Sequence, residues 1–148
     1  MQAQMLAPAA VLVLWSLVML IWTAATRLPA MARLGTNIKT AAPGGRGQNL
    51  DGVLPDSVQW KSHNYAHLME QPTIFYPTVV IIALMGPNEG TIAFAWAYVA
   101  LRIIHSVWQA TVNTIPVRFT LFLLSTACLI LLAVHAAELT LFAKGVAA

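Results

Sequence analysis

Four ionisable residues lie within or beside apolar stretches of the sequence: Glu70, Arg102, His105 and Arg118. Charge is costly in apolar surroundings, so residues of this kind mark functional sites by default, although an architectural ion pair is the other interpretation. An acid and an arginine close together either neutralise each other or jointly hold a charged ligand. We therefore take these residues as the first candidates for a site.

A polar stripe runs along the segment that carries Arg102. Its members are spaced by four, three, four and four residues: Tyr98, Arg102, His105, Gln109 and Asn113. This spacing keeps all of them on one face of a helix. Such a face meets a partner helix, an oligomer axis or a cavity. Hydrogen bonding between helices would also explain Gln109 and Asn113, and Tyr98 is better interpreted as packing.

A second group consists of His63, His67 and Glu70, spaced i, i+4 and i+7 on one helical face. Two imidazoles and a carboxylate in this arrangement are able to converge on a metal ion. However, no third histidine or distant ligand is aimed at the group. Ordinary polar residues at a membrane interface are the favoured interpretation, so no metal site is predicted.

The composition places these residues in a membrane protein. Of the 148 residues, 59% are hydrophobic and only 9% are charged, against roughly a quarter charged in an average soluble domain. The net charge of +3 is scattered among apolar segments and forms no basic patch, which excludes a nucleic-acid binder. We expect one domain over residues 1–148.

Four apolar stretches of about 20 residues predict transmembrane helices, at 6–26, 66–85, 91–112 and 119–142. The last stretch is bounded by Arg118 and Lys144. The turn at 86–90 is short enough to join the second and third helices as antiparallel neighbours. The sequence therefore predicts an all-α, up-down bundle of four transmembrane helices.

The second span places Glu70 inside the membrane. Its uninterrupted apolar part, residues 74–85, gives only about 18 Å of helix, so the span must reach further back, with Pro72 and Pro77 as candidate kink points in the same helix. The third span, counted from its start, places Arg102 about 16 Å deep. We therefore expect Glu70 to be a buried acid that pairs with Arg102 or shares an anionic ligand with it.

The connection at about 28–60 sets the orientation. It is rich in Pro and Gly, reads as a flexible loop, and is followed by a helix that starts near Asp56. Most basic residues occupy or flank it: Arg27, Arg33, Lys39, Arg46 and Lys61. By the positive-inside rule, the first and third loops face the cytoplasm.

Two segments carry a resemblance to a known family. HLMEQPTIF, at 67–75, and RIIHSVWQATVNTIPVR, at 102–118, resemble the MAPEG family, the membrane-associated proteins of eicosanoid and glutathione metabolism. The resemblance implies a homotrimer that holds glutathione between protomers near the cytoplasmic side. It also implies that Glu70, Arg102 and His105 bind glutathione. Arg118 would be the catalytic residue that faces the sulfur, since an arginine beside a thiol favours the attacking thiolate.

Three positions depart from the family pattern. His67 stands where glutathione-using members commonly have Asn, His63 where they have Arg, and Gln109 where they have Tyr. A histidine in place of Arg loses a fixed charge at neutral pH, which suits a different anion or a lipid headgroup. The candidate binding set is Glu70, Arg102, His105, His67, His63, Gln109 and Asn113.

Two functions follow from these patterns. The first is an integral membrane glutathione-dependent transferase or peroxidase, with glutathione as co-substrate, that acts on apolar electrophiles or lipid hydroperoxides. The alternative is a non-catalytic MAPEG-like protein that binds a lipid or a partner membrane protein. For either function we expect a multi-pass protein of the bacterial inner membrane.

Overall fold

The computed structural model describes residues 1–35 and 43–142, and Lys39 and Lys144 lie outside these ranges. Its long helices are α1 (Gln2–Arg33), α2 (Asp56–Leu68), α3 (Pro72–Met85), α4 (Glu89–Thr111) and α5 (Ile115–Leu141). With α2 and α3 counted as one stretch, four stretches are long and apolar enough to cross a membrane. The described residues contain no strand, which confirms the predicted all-α fold.

The helices pack around one apolar core. α4 lies against α5 and α1, while α3 lies between α1 and α5. The second and third spans are therefore neighbours, as predicted, and the second span meets α4 chiefly through α2. The core is filled by side chains from α1, α3, α4 and α5, among them Leu12, Val79, Ile82, Val99 and Leu132.

The second span is broken at residues 69–71, between α2 and α3. Pro72 has no backbone N–H and therefore cannot donate to the carbonyl four residues earlier. The chain turns instead, with the Met69 N–H donating to the Ala66 carbonyl and the Thr73 N–H donating to the Glu70 carbonyl. Pro77, the other predicted kink, lies inside the continuous α3.

Turn residues end the helices at both sides of the bundle. Gly86 has a left-handed conformation with φ 117° and ends α3. Asn88 and Thr91 then form a reciprocal capping box at the start of α4. At the other side, α4 ends at Thr111, and Asn113 has a positive φ of 56° just before α5.

The connection between α1 and α2 has more structure than the sequence predicts. α1 continues to Arg33, and a short 3₁₀ helix spans Gly47–Leu50. Arg27 fastens this region, donating from Nη1 to Ser62 Oγ at 2.8 Å and from Nη2 to the Gly47 carbonyl. The loop predicted at about 28–60 is therefore shorter at both ends, since α1 continues to Arg33 and α2 begins at Asp56, and its flexibility stays a prediction. The helix predicted near Asp56 begins there.

Candidate functional site

A cavity of about 390 Å³ opens where the end of α2, the last turns of α4 and the first turns of α5 meet. Its lining consists of His63, His67, Glu70, His105, Gln109, Ile115, Arg118, Phe119 and Phe122. Six of the eight residues selected from the sequence are therefore brought together. Arg102 and Asn113 are not part of the lining.

Arg118 lies in the first turn of α5 and is half-buried. Its Nη1 donates to Asn113 Oδ1 at 2.7 Å. Within the described ranges, no carboxylate lies within 4.0 Å of its guanidinium. Its positive charge is therefore held in place by a neutral acceptor.

Glu70 lies in the break between α2 and α3, where its side chain is 69% exposed. Its Oε2 is 3.9 Å from His67 Nε2. The prediction that Glu70 is a buried acid is therefore wrong for the chain as described. The cause is its position around the helix, because the buried residues on either side, Leu68 and Pro72, are each two positions away and therefore lie on the opposite face.

Arg102 is fully buried. Its Nη2 donates to the carbonyl of His67 at 3.1 Å, and its Nε and Nη1 have no partner among the described atoms. Arg102 and Glu70, both among the described residues, form no ion pair, so the prediction that they pair with each other is wrong. Arg102 instead shares the His67 carbonyl, at the end of α2, with the Glu70 backbone N–H, which donates to the same oxygen at 3.4 Å.

The histidines form two different environments. His67 Nδ1 lies 3.3 Å from Gln109 Oε1, which requires a proton on that nitrogen. The His67 ring also contacts the rings of Phe122 and His105, with centroids 5.7 Å and 5.1 Å away. His63 is exposed, and its Nε2 lies 3.2 Å from Asp51 Oδ1.

His63 therefore turns toward the connecting loop and not toward His67 and Glu70. Across residues 1–35 and 43–142, no group of three or more His, Cys, Asp or Glu side chains is arranged to hold a metal ion. The i, i+4, i+7 spacing brings the three residues to one cavity without converging them on one point.

Four of the five residues predicted to form the polar stripe of α4 are buried: Tyr98, Arg102, His105 and Gln109. Tyr98 stacks on Phe75 with ring centroids 4.3 Å apart, in agreement with a packing role. The fifth member, Asn113, is not on the stripe. The helix ends before it, because the N–H groups of Val112 and Asn113 both donate to the Trp108 carbonyl.

The sequence reasoning missed the apolar wall of the cavity, formed by Ile115, Phe119 and Phe122. A signal was present for Ile115 and Phe122, because they lie at i−3 and i+4 from Arg118 and so share its face of α5. The wall and the Arg118 side chain line the same cavity.

A second feature that the sequence reasoning missed supports the site from behind. Ser106 Oγ accepts from Asn64 Nδ2 at 2.6 Å and from Trp15 Nε1 at 2.9 Å. Three helices therefore meet at one hydroxyl. No spacing rule predicts this, since the three residues come from separate segments.

The family comparison agrees with the geometry. The model of the MAPEG family matches residues 5–137, which include part or all of each of the four membrane-spanning stretches. No curated protein and no solved structure matches the chain. MAPEG proteins are four-helix membrane bundles associated with glutathione and eicosanoid metabolism. This chain belongs to the MAPEG family.

Proposed function

We propose that this chain is an integral membrane glutathione-dependent transferase or peroxidase that acts on apolar electrophiles or lipid hydroperoxides. One observation carries the proposal. Arg118, which lacks a carboxylate partner among the described residues, lines a cavity together with an apolar wall formed by Ile115, Phe119 and Phe122 of the same helix. A cation favours a thiolate, and the apolar wall suits a substrate drawn from the bilayer.

Arg118 would act by stabilising the sulfur anion of glutathione. In the transferase reaction the thiolate attacks an electrophilic carbon, a C–S bond forms, and the leaving group departs with its electron pair. In the peroxidase reaction the sulfur attacks the terminal oxygen of a hydroperoxide. The O–O bond breaks, the alkoxide takes a proton, and a second glutathione converts the sulfenic acid to the disulfide and water.

The remaining lining suits a small zwitterionic peptide. The volume of about 390 Å³ lies within the usual range of small-molecule sites. The exposed carboxylate of Glu70 is available to accept from a ligand amine, and Gln109, His67, His105 and His63 offer further polar contacts. Arg102 is assigned an indirect role because it is fully buried.

The same proposal includes a homotrimer, as the family resemblance implies, with glutathione held between neighbouring protomers. It also places the first and third loops in the cytoplasm of a bacterial cell. The basic residues at the end of α1 and near the start of α2 support that orientation.

One observation favours the second candidate, a non-catalytic protein that binds a lipid or a partner membrane protein. Among the described residues that line the cavity, Arg118 is the only Lys or Arg. His63 lies beside Asp51 and, as a histidine, does not supply the fixed positive charge of an arginine. A ligand with a single anionic group, such as a lipid headgroup, would need no second cation.

Thermal unfolding of the detergent-solubilised protein separates the two candidates, because a ligand that binds only the folded state raises its melting temperature. We expect glutathione to raise the melting temperature of the wild type and of Arg33→Ala, a control that removes an arginine outside this cavity. The rise should be lost in Arg118→Ala. Stabilisation by anionic lipid alone, with no conjugation of model electrophiles, would instead establish the second candidate.

A further inference from the structure

The corner between α4 and α5, residues 111–118, has an unusual backbone at Asn113. Its φ of 56° lies in the left-handed region, which asparagine and glycine tolerate far better than other residues. Its N–H donates to the Trp108 carbonyl at 2.8 Å, five residues back. The backbone of Asn113 is therefore fixed where the two helices meet.

The side chain of Asn113 reaches the candidate catalytic group. Its Oδ1 accepts from Arg118 Nη1 at 2.7 Å, while the Arg118 backbone N–H donates to the Thr114 carbonyl at 3.2 Å. Both ends of Arg118 are thus bound to the corner. The corner itself is tied to α2, since Lys61 Nζ donates to the Ala110 carbonyl at 3.3 Å.

The chemical identity of the acceptor matters. An amide oxygen satisfies one N–H of the guanidinium and leaves its full positive charge available. A carboxylate at the same place would satisfy the same N–H but neutralise the charge. The other titratable groups that line this cavity are His63, His67 and Glu70 from α2 and the break, and His105 from α4.

We infer that Asn113 is a positioning residue, and not a ligand contact, that holds the Arg118 guanidinium toward the cavity while keeping its charge free for an anionic sulfur. The inference rests on the proposed function. It assigns Asn113 a role different from the glutathione contact expected from the polar stripe.

The test measures the pH at which bound glutathione is half ionised, from the ultraviolet absorbance of the thiolate. Asn113→Asp retains an acceptor and tolerates a positive φ, and Asn113→Gly retains the backbone and removes the acceptor. We expect Asn113→Asp to raise the midpoint by about 1 to 2 pH units, because neutralising Arg118 removes the effect of an opposite charge within about 4–6 Å of the thiolate. Asn113→Gly should raise it by less, with little change in KM.

Thr114→Val is the matched control. It removes another side-chain hydrogen bond of the corner, in which Trp108 Nε1 donates to Thr114 Oγ1 at 3.0 Å, and leaves the Asn113 amide intact. Its midpoint should equal that of the wild type. A shift as large as that of Asn113→Asp would overturn the inference, because general disturbance of the corner would then explain both.

Two further outcomes are distinct. If the wild type neither binds nor ionises glutathione, the proposed function fails and the inference falls with it. If the wild type ionises glutathione but both Asn113 variants keep its midpoint, only the inference fails. Thermal melting verifies that each variant is folded, and Asn113→Gly alone decides the matter if Asn113→Asp does not fold.

Discussion

The two ends of the bundle are filled by different kinds of side chain. One end contains the Gly86 turn and the segments that pack near it, and we call it the hairpin end. Its interior is dominated by apolar residues such as Val79, Ile82 and Ala95. The other, the site end, contains α2 and the α4–α5 corner. Its buried residues include Asn64, Arg102, His105, Ser106 and Gln109.

The difference follows from what each end must do in a membrane. Lipid is as apolar as the helices, so the bundle gains little from burying apolar side chains and depends on close packing and on hydrogen bonds between helices. The hairpin end is held together by close packing of apolar side chains. The site end adds directional bonds such as the one from Arg102 to the His67 carbonyl, which hold polar groups where a ligand would use them. Stability and ligand binding should therefore respond to mutations at different ends.

The largest expected effect is at the site end. Arg118→Ala should lower kcat/KM for a model electrophile by about 100-fold or more, the usual loss when a preorganised group that stabilises developing charge is removed. Steady-state kinetics in detergent micelles measure it. The melting temperature without ligand should change little, since Arg118 is half-buried and has one hydrogen-bonded partner among the described side chains. Activity close to that of the wild type would contradict the assignment of Arg118.

The corresponding change at the hairpin end should act on stability alone. Ile82 is fully buried, and Ile82→Ala should lower the free energy of unfolding by about 2 kcal/mol through the cavity it leaves. Denaturant titration measures the loss. The glutathione dissociation constant of the folded protein should stay the same, and a large change in it would break the separation between the two ends.

A smaller effect is expected at Glu70. Glu70→Gln should raise KM for glutathione about tenfold with little change in kcat, as when a uniform binding contact is lost. Glu138→Gln is the control, because Glu138 Oε2 also lies near a histidine three residues away, His135 Nδ1 at 3.5 Å. This second pair does not line the cavity. Equal effects of the two changes would exclude a specific role for Glu70.

The smallest effect is expected from the helix cap at the hairpin end. Asn88→Ala removes the acceptor for the Thr91 N–H and should cost about 1 kcal/mol of stability. Hydrogen exchange at the start of α4 should become faster, while the kinetic constants remain those of the wild type. Loss of activity without loss of stability would indicate that the hairpin end contributes to the site.

The sequence was sufficient for the architecture. Runs of about 20 apolar residues locate the spans because a bilayer imposes one length on every crossing helix. Pro72 also signalled the interruption of the second span. Counting depth along the span did not reveal which face Glu70 occupies. It lies two residues from the buried Leu68 and Pro72, on the opposite face, and is exposed.

The site was predicted in part, for a related reason. Residues on one face of one helix were grouped correctly, as His67 and Glu70 or His105 and Gln109 show. Contacts between separate segments were not, because spacing carries no information about them. The Arg102 bond to the His67 carbonyl, which replaces the expected ion pair with Glu70, is such a contact.

Amide hydrogen exchange with and without saturating glutathione tests the central claim that the ligand binds at the site end. We predict slower exchange in peptides that cover the end of α2 with the break, 67–71, and the end of α4 with the α4–α5 corner, 109–118. The peptides around the Gly86 turn should exchange at the same rate with and without ligand. Protection confined to the hairpin end, or no protection anywhere at a glutathione concentration that saturates activity, would contradict the account.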